Sequence, residues 1–262
     1  MRLADTLYRV PRRPGLQLIH KRGPDGAREL SSWRLCLAAG ARTRLQCPSE
    51  EAILVLQQGS GTFRCGDEAW PVRRAGVFAE PATALYLPPD VAVEVRADAP
   101  LEAVLVATPA PGDGGGPVFL PPSSVKVHER GRDGYARTVH DVLVDDDFAR
   151  RLLVGETFNP PGNWSSFPPH KHDGRDGEAR LEEVYHYRVD PPQGFAQQLL
   201  YARGGESVAH TVRDGDAVLL PYGYHPVAAP PGYRVYYLWA LSGEVRRLTL
   251  YEDPDHRWIH DS

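Results

Sequence analysis

No stretch of this 262-residue chain approaches the apolar length of about 20 residues that a membrane-spanning helix needs. The opening MRLADTLYRVPRRPG mixes charges into every short apolar run, which argues against the hydrophobic core of a signal peptide. Cysteine is scarce. Cys36, Cys47 and Cys65 are odd in number and form no CxxC pair, so they are poor material for a disulfide framework. A soluble protein in a reducing, cytoplasmic setting is the expectation. Lysine occurs only at Lys21, Lys126 and Lys171, and the net charge of -4 leaves no basic footprint. Neither nucleic acid nor an anionic membrane is therefore an expected partner.

Proline and glycine, 25 of each, are spread through the chain rather than gathered in one tract. Between them lie short runs rich in Val, Leu, Tyr and Phe: 53–56, 85–87, 91–95, 103–107, 199–201, 217–220 and 234–239. Such runs, punctuated by turn residues at near-regular intervals, predict an all-β chain. Helical periodicity is scarce, the best candidate being 145–153, where Asp residues can cap a short segment. A weak internal echo sets EEAILVLQQGSGTF in the first half, where Glu51 precedes the apolar run, against EEVYHYRVDPPQGF in the second, where Glu183 does so. Each run is followed by a Gly-to-Pro strand and a turn. Two antiparallel β-barrel modules in one chain, 1–120 and 121–262, fit this order. The linker is expected around 109–122, where PAPGDGGGP is too rich in Gly and Pro for a regular element.

The chemistry is expected in the second module. PPHKHD places His170 and His172 at i and i+2, a spacing that on a strand sends both imidazoles to one face. Glu183 opens an aromatic-rich strand, and His225 follows a tight Pro-x-Gly turn in LLPYGYH. Three imidazoles and one carboxylate suit one divalent transition metal, Zn, Mn, Fe or Ni. Any single histidine among the ten is more often a surface or core residue; the ordered combination carries the reading. Strand alternation puts Glu183, Tyr185 and Tyr187 on one face and Val184 and His186 on the other, so only one of Glu182 and Glu183 can face inward. No histidine occurs across 45–95, and Asp90 stands where the second half has His225, so the first module is expected to be metal-free. Weak candidates for catalytic roles are Tyr185, Tyr187, Arg188 and Lys171, with Gln198, Tyr201 and Tyr237 as further pocket polars. The residues do not identify a base. His140 is expected to make a structural hydrogen bond, and Trp258 in the tail DPDHRWIHDS to dock on the barrel.

The order HxH, carboxylate, distant His after a Gly-x5-Pro-x-Gly turn resembles the cupin metal-site pattern. The blocks ETFNPPGNWSSFPPHKHD, LEEVYHYRVDPPQGFAQQLLY, VLLPYGYHPVAAPPGYRVYYL and DPDHRWI closely resemble the 5-deoxyglucuronate isomerase family of bacterial inositol catabolism. That is a bicupin group of jelly-roll modules related to the 5-keto-4-deoxyuronate isomerases. The resemblance implies that the family's metal-binding motif falls on His170, His172, Glu183 and His225. It also implies an aldose–ketose isomerisation of a small uronate, 5-deoxy-D-glucuronate to 5-dehydro-2-deoxy-D-gluconate, by an enzyme that can be a homo-oligomer. Two departures bear on the pocket mouth: His186 stands where the family pattern has tyrosine, and the loop 174–180 is shorter. The competing readings are a 5-keto-4-deoxyuronate isomerase, a metal-dependent cupin dioxygenase, and a sugar-binding cupin without turnover.

Overall fold

The computed structural model describes residues 1–23, 26–112 and 115–260. Asp113 and Gly114 of the expected linker and Asp261 and Ser262 of the tail lie outside the described residues. Strands dominate, and the helical turns among the described residues are all of the 3-10 type. The expected helix over 145–153 is absent. The backbone N–H groups of Arg150, Arg151 and Leu152 donate to the Glu51 carboxylate (2.7–2.8 Å) instead of to carbonyls four residues earlier. Leu153 already opens the strand Leu153–Asn159.

The first module is built around one 16-residue strand, Glu50–Cys65. Its first half pairs with Thr83–Leu87 and Leu101–Pro109, its second half with Glu68–Arg74 and Ala92–Ala97, so the strand curls from one sheet into the other. Val118–Leu120, inside the segment expected as linker, pairs with Thr83–Leu87. In the second module a seven-stranded antiparallel sheet carries Glu182–Asp190 and Arg234–Ser242 at its centre. A four-stranded sheet, including Phe195–Tyr201 and Ser207–Arg213, and a two-stranded ribbon, His170–Lys171 with Tyr251–Glu252, complete this module.

One element crosses the 1–120 grouping. Leu7–Tyr8 pairs with Ala217–Leu220, and Leu3 is buried in the core of the second barrel. The other described strands before Lys126 pair among themselves.

Alternation within the central strands divides their side chains between two cores. Ala52, Leu54 and Leu56 fill the first barrel, while Ile53 and Val55 join Val184, Leu219, Leu238 and Ala240 in a cluster between the modules. Strands buried on both faces read as unbroken apolar runs, which is why AILVL shows no polar alternation. Burying each such side chain is worth about 1.5–3 kcal/mol. The wholly buried ion pair Arg74–Glu156 (2.8 Å) also spans the interface. Its desolvation offsets much of its attraction, so the apolar cluster carries the cohesion.

The modules are related residue by residue. Glu51 pairs with Thr108 and Glu182 with Ser242, and the Thr108 and Ser242 hydroxyls meet across the interface at 2.7 Å. Glu51 accepts the N–H groups of 150–152, whereas Glu182 accepts those of Arg28, Glu29 and Leu30 at 2.8–3.0 Å. Each barrel thus grips the segment leading into the other's next strand. The internal echo therefore has a different register from the one expected: Glu51 corresponds to Glu182, and the counterpart of Glu183 is Ala52.

Candidate metal centre and cavity

His172, Glu183 and His225 converge in the second barrel, with one potential ligand atom from each lying within 4.8 Å of the others. Glu183 is the first inward-facing residue of its strand. Its Oε2 lies 2.9 Å from His172 Nε2 and 3.4 Å from His225 Nε2. Both imidazoles are oriented from behind, because His172 Nδ1 lies 2.9 Å from the Leu181 carbonyl and His225 Nδ1 lies 3.0 Å from the Gly223 carbonyl. With each Nδ1 turned to its carbonyl, Nε2 of both rings is directed at the carboxylate. His225 Nε2 is buried and makes no hydrogen bond. The turn that delivers His225 needs glycine: Gly223 has φ +84°, and a Cβ there would lie 2.5 Å from the Tyr201 carbonyl oxygen.

His170 lies beside this trio rather than within it. Its ring centroid is 4.8 Å from that of His225, and it lines the same cavity. Burial, with the charges of His172 and Arg137, pushes His170 down to about 3. Burial likewise drives His225 well below the usual imidazole range. Both rings are neutral near pH 7 and keep a lone pair for a ligand. Burial raises the Glu183 carboxyl above its ordinary range, its bond to His172 pulling the other way. A buried carboxylate, inward-facing imidazole nitrogens and one nitrogen without a hydrogen bond fit a divalent cation.

His170, His172 and Glu183 line a cavity of about 730 Å³. Tyr185 and Tyr237 line it, stacked at 4.2 Å, with their hydroxyls bonded to Ser166 (3.1 Å) and Ser165 (2.7 Å). Trp239, Leu241, Leu248 and Leu250 supply apolar wall, and Glu252 and His260 bring the C-terminal segment to the rim.

Several expected site residues lie elsewhere. Tyr187 faces the barrel interior but bonds Gln198, whose amide holds the His225 carbonyl at 2.8 Å, so the pair supports the turn from behind. The Tyr201 hydroxyl is spent on Asp253. Lys171 Nζ binds Asp173, Asp176 and Glu178 and so folds the loop 173–178. Arg188 pairs with Glu102 of the first module and with Asp214. Lys171 and Arg188 are thus withdrawn as catalytic candidates, since their charges are neutralised outside the cavity. His186 is buried on the face turned toward the first module, not at the pocket mouth, because it shares the Val184 side of its strand. His140 also faces the interface, 3.7 Å from Glu156. Trp258 is 63% exposed and does not dock.

Sequence reasoning missed Arg137 and Asp141. Both line the cavity from the strand Arg137–Leu143, and Asp141 bonds His128 at 2.8 Å. The signal was the two-residue period of Arg137, Val139 and Asp141, which puts all three on the inward face.

Two curled antiparallel barrels, one holding a buried His/Glu cluster, define a two-module cupin. The chain belongs to the KduI/IolB family, which it matches over residues 9–259. It is 41% identical over 234 residues to a 5-deoxy-glucuronate isomerase of Geobacillus kaustophilus, covering 86% of this chain and 84% of that one. A 5-deoxy-glucuronate isomerase of Bacillus subtilis is 35% identical over 237 residues, covering 86% and 85%. Among solved structures, an IolB-like protein from Salmonella typhimurium LT2 superposes with a TM-score of 0.90 at 32% identity, over 97% of this chain and 99% of that one. Bacillus subtilis oxalate decarboxylase shares the fold alone, with a TM-score of 0.65 at 13% identity over 96% of this chain and 78% of its own. No helix among the described residues is long and apolar enough to cross a membrane.

Proposed function

We propose that the chain is a 5-deoxyglucuronate isomerase that depends on one divalent transition metal held by His172, Glu183 and His225, with His170 as a fourth ligand. The reading is supported above all by the match, across some 86% of the chain, to relatives of that name, together with the converging His/Glu cluster. The reaction turns the aldehyde of 5-deoxy-D-glucuronate into the ketone of 5-dehydro-2-deoxy-D-gluconate. One hydrogen passes from C2 to C1 and a proton from O2 to O1, so no oxidant or nucleotide is consumed. A bound divalent cation supplies Lewis-acid polarisation of the carbonyl and the neighbouring hydroxyl.

The chain's own side chains perform the rest. The Leu181 and Gly223 carbonyls hold the two imidazoles so that Nε2 faces inward, which lowers the cost of organising the site during turnover. Tyr185, bonded to Ser166 and stacked on Tyr237, presents a fixed hydroxyl to the cavity. Trp239 and Leu241 give a buried apolar wall to a site that must handle a reactive carbonyl, and the exposed Leu248 and Leu250 border it on the solvent side.

The test is NMR of 5-deoxyglucuronate with purified protein, with and without chelator. Conversion to the ketone without oxygen uptake, abolished by chelation and restored by Zn, Mn, Fe or Ni, is expected. Oxygen consumption would favour a dioxygenase. Faster turnover of 5-keto-4-deoxyuronate in a parallel assay would move the assignment to the other activity named in the resemblance.

A further inference from the structure

The cavity is lined by two chemically different sets of side chains. One set is the candidate ligands His170, His172 and Glu183, and the other is three arginines, Arg130, Arg132 and Arg137. A uronate is built the same way, with a carbonyl and hydroxyl at one end and a carboxylate at the other. Resting on the isomerase reading, we propose that Arg137 is the positioning residue that binds the substrate carboxylate and so determines specificity for a uronate over a neutral sugar.

Arg137 is set apart from the other two by how it is held. Its Nη1 donates to the carbonyls of Tyr135 (3.2 Å) and Phe167 (3.1 Å), while Nε and Nη2 donate to no group among the described residues. Nor does any described carboxylate lie within ion-pair distance. Arg130 is exposed, and Arg132 reaches the Ile259 and His260 carbonyls at the tail. The seat of Arg137 is tight: a Cβ on Gly131, whose φ is +72°, would fall 2.7 Å from Nη1.

Anchoring by two carbonyls fixes the plane of the guanidinium and leaves a fork free for bidentate carboxylate binding. Burial destabilises the guanidinium charge and Arg130 adds repulsion, so a bound anion would relieve an under-neutralised cation. His170 lies near both sets. Its ring lies 4.8 Å from that of His225, and Arg137 is close enough for its charge to act on the same imidazole. A substrate whose carboxylate is held by Arg137 then extends its carbonyl end toward the ligand cluster.

The test uses unreactive ligands and calorimetry as well as turnover. Borohydride reduction of 5-deoxyglucuronate gives a polyol acid, and the same polyol with hydroxymethyl in place of carboxylate is its neutral partner. Arg137→Gln should weaken the acid about 10- to 100-fold, as loss of a charge-assisted bond predicts. The neutral polyol should bind as before, and Arg137→Lys should recover part of the difference. In turnover, KM for the uronate should rise more than kcat falls. Equal weakening of acid and neutral polyol overturns the proposal, because Arg137 then acts only through the Phe167 turn. Unchanged binding of the acid, or a wild type that binds it no better than the neutral polyol, also overturns it. A wild type that prefers the acid through Arg137 yet does not isomerise 5-deoxyglucuronate defeats the isomerase reading instead.

Discussion

Where the second barrel buries Glu183, the first buries Ala52, and the register of the central strands makes these two positions equivalent. Around Ala52 the first barrel packs Leu45, Cys47, Leu54 and Leu87 into one apolar cluster. Around Glu183 the second places His172, His225 and Tyr185 beside a cavity. The neighbouring carboxylates, Glu51 and Glu182, are alike in both barrels and bind backbone across the interface. One of each adjacent Glu pair or its counterpart therefore serves assembly, and the position after it decides between a packed core and a site. Duplication of a barrel needs only one of two interiors to do chemistry; the other can be filled.

The largest effect is expected from making the second barrel resemble the first. Glu183→Ala should empty the metal site and lower turnover by about 10⁴, roughly 5.5 kcal/mol. Elemental analysis and the NMR assay read both, and retention of metal would remove Glu183 from the ligand set. The reverse change, Ala52→Glu, should not create a second site, because no histidine accompanies it. Metal should stay at one per chain, and stability in urea should fall by about 3–5 kcal/mol, the cost of an unpaired buried charge. Two metals per chain would break the comparison. Next come the reciprocal clamps. Glu51→Ala leaves three backbone N–H groups and the Tyr86 hydroxyl without that acceptor, and should cost about 3 kcal/mol. Glu182→Ala leaves three N–H groups and should cost about 2 kcal/mol by the same measurement. The smallest change is Thr108→Val, which removes one hydroxyl of the pair spanning the modules and should shift stability by about 1 kcal/mol with metal content unaltered.

Much of the architecture was legible because burial on one or two faces writes itself into short periods. The apolar runs at 53–56, 103–107 and 217–220 lie within strands, as does the aromatic run at 234–239. Alternation in EEVYHY separated Glu183 from Val184 and His186 without any coordinates. What failed depended on partners distant in sequence. The acidic stretch 145–153 has local capping chemistry, but Glu51, about 100 residues earlier, takes its N–H groups. Arg188 resembles a pocket cation in sequence, but its partner Glu102 lies in the other module; Lys171 is the exception, neutralised by the nearby Asp173, Asp176 and Glu178. Arg137 was hidden for the opposite reason. No described carboxylate lies within ion-pair distance of it, and a sequence rich in arginine gives no sign of which cavity-lining arginine is so placed.

The pairing of Leu7–Tyr8 with Ala217–Leu220 also bears on how the chain is made. Synthesis runs from the N-terminus, so this strand emerges about 200 residues before its partner. Contacts of such long sequence separation form slowly. A fusion or cleavage ahead of Leu3 should therefore be felt at the sheet that carries Glu183 rather than in the barrel that follows it in sequence.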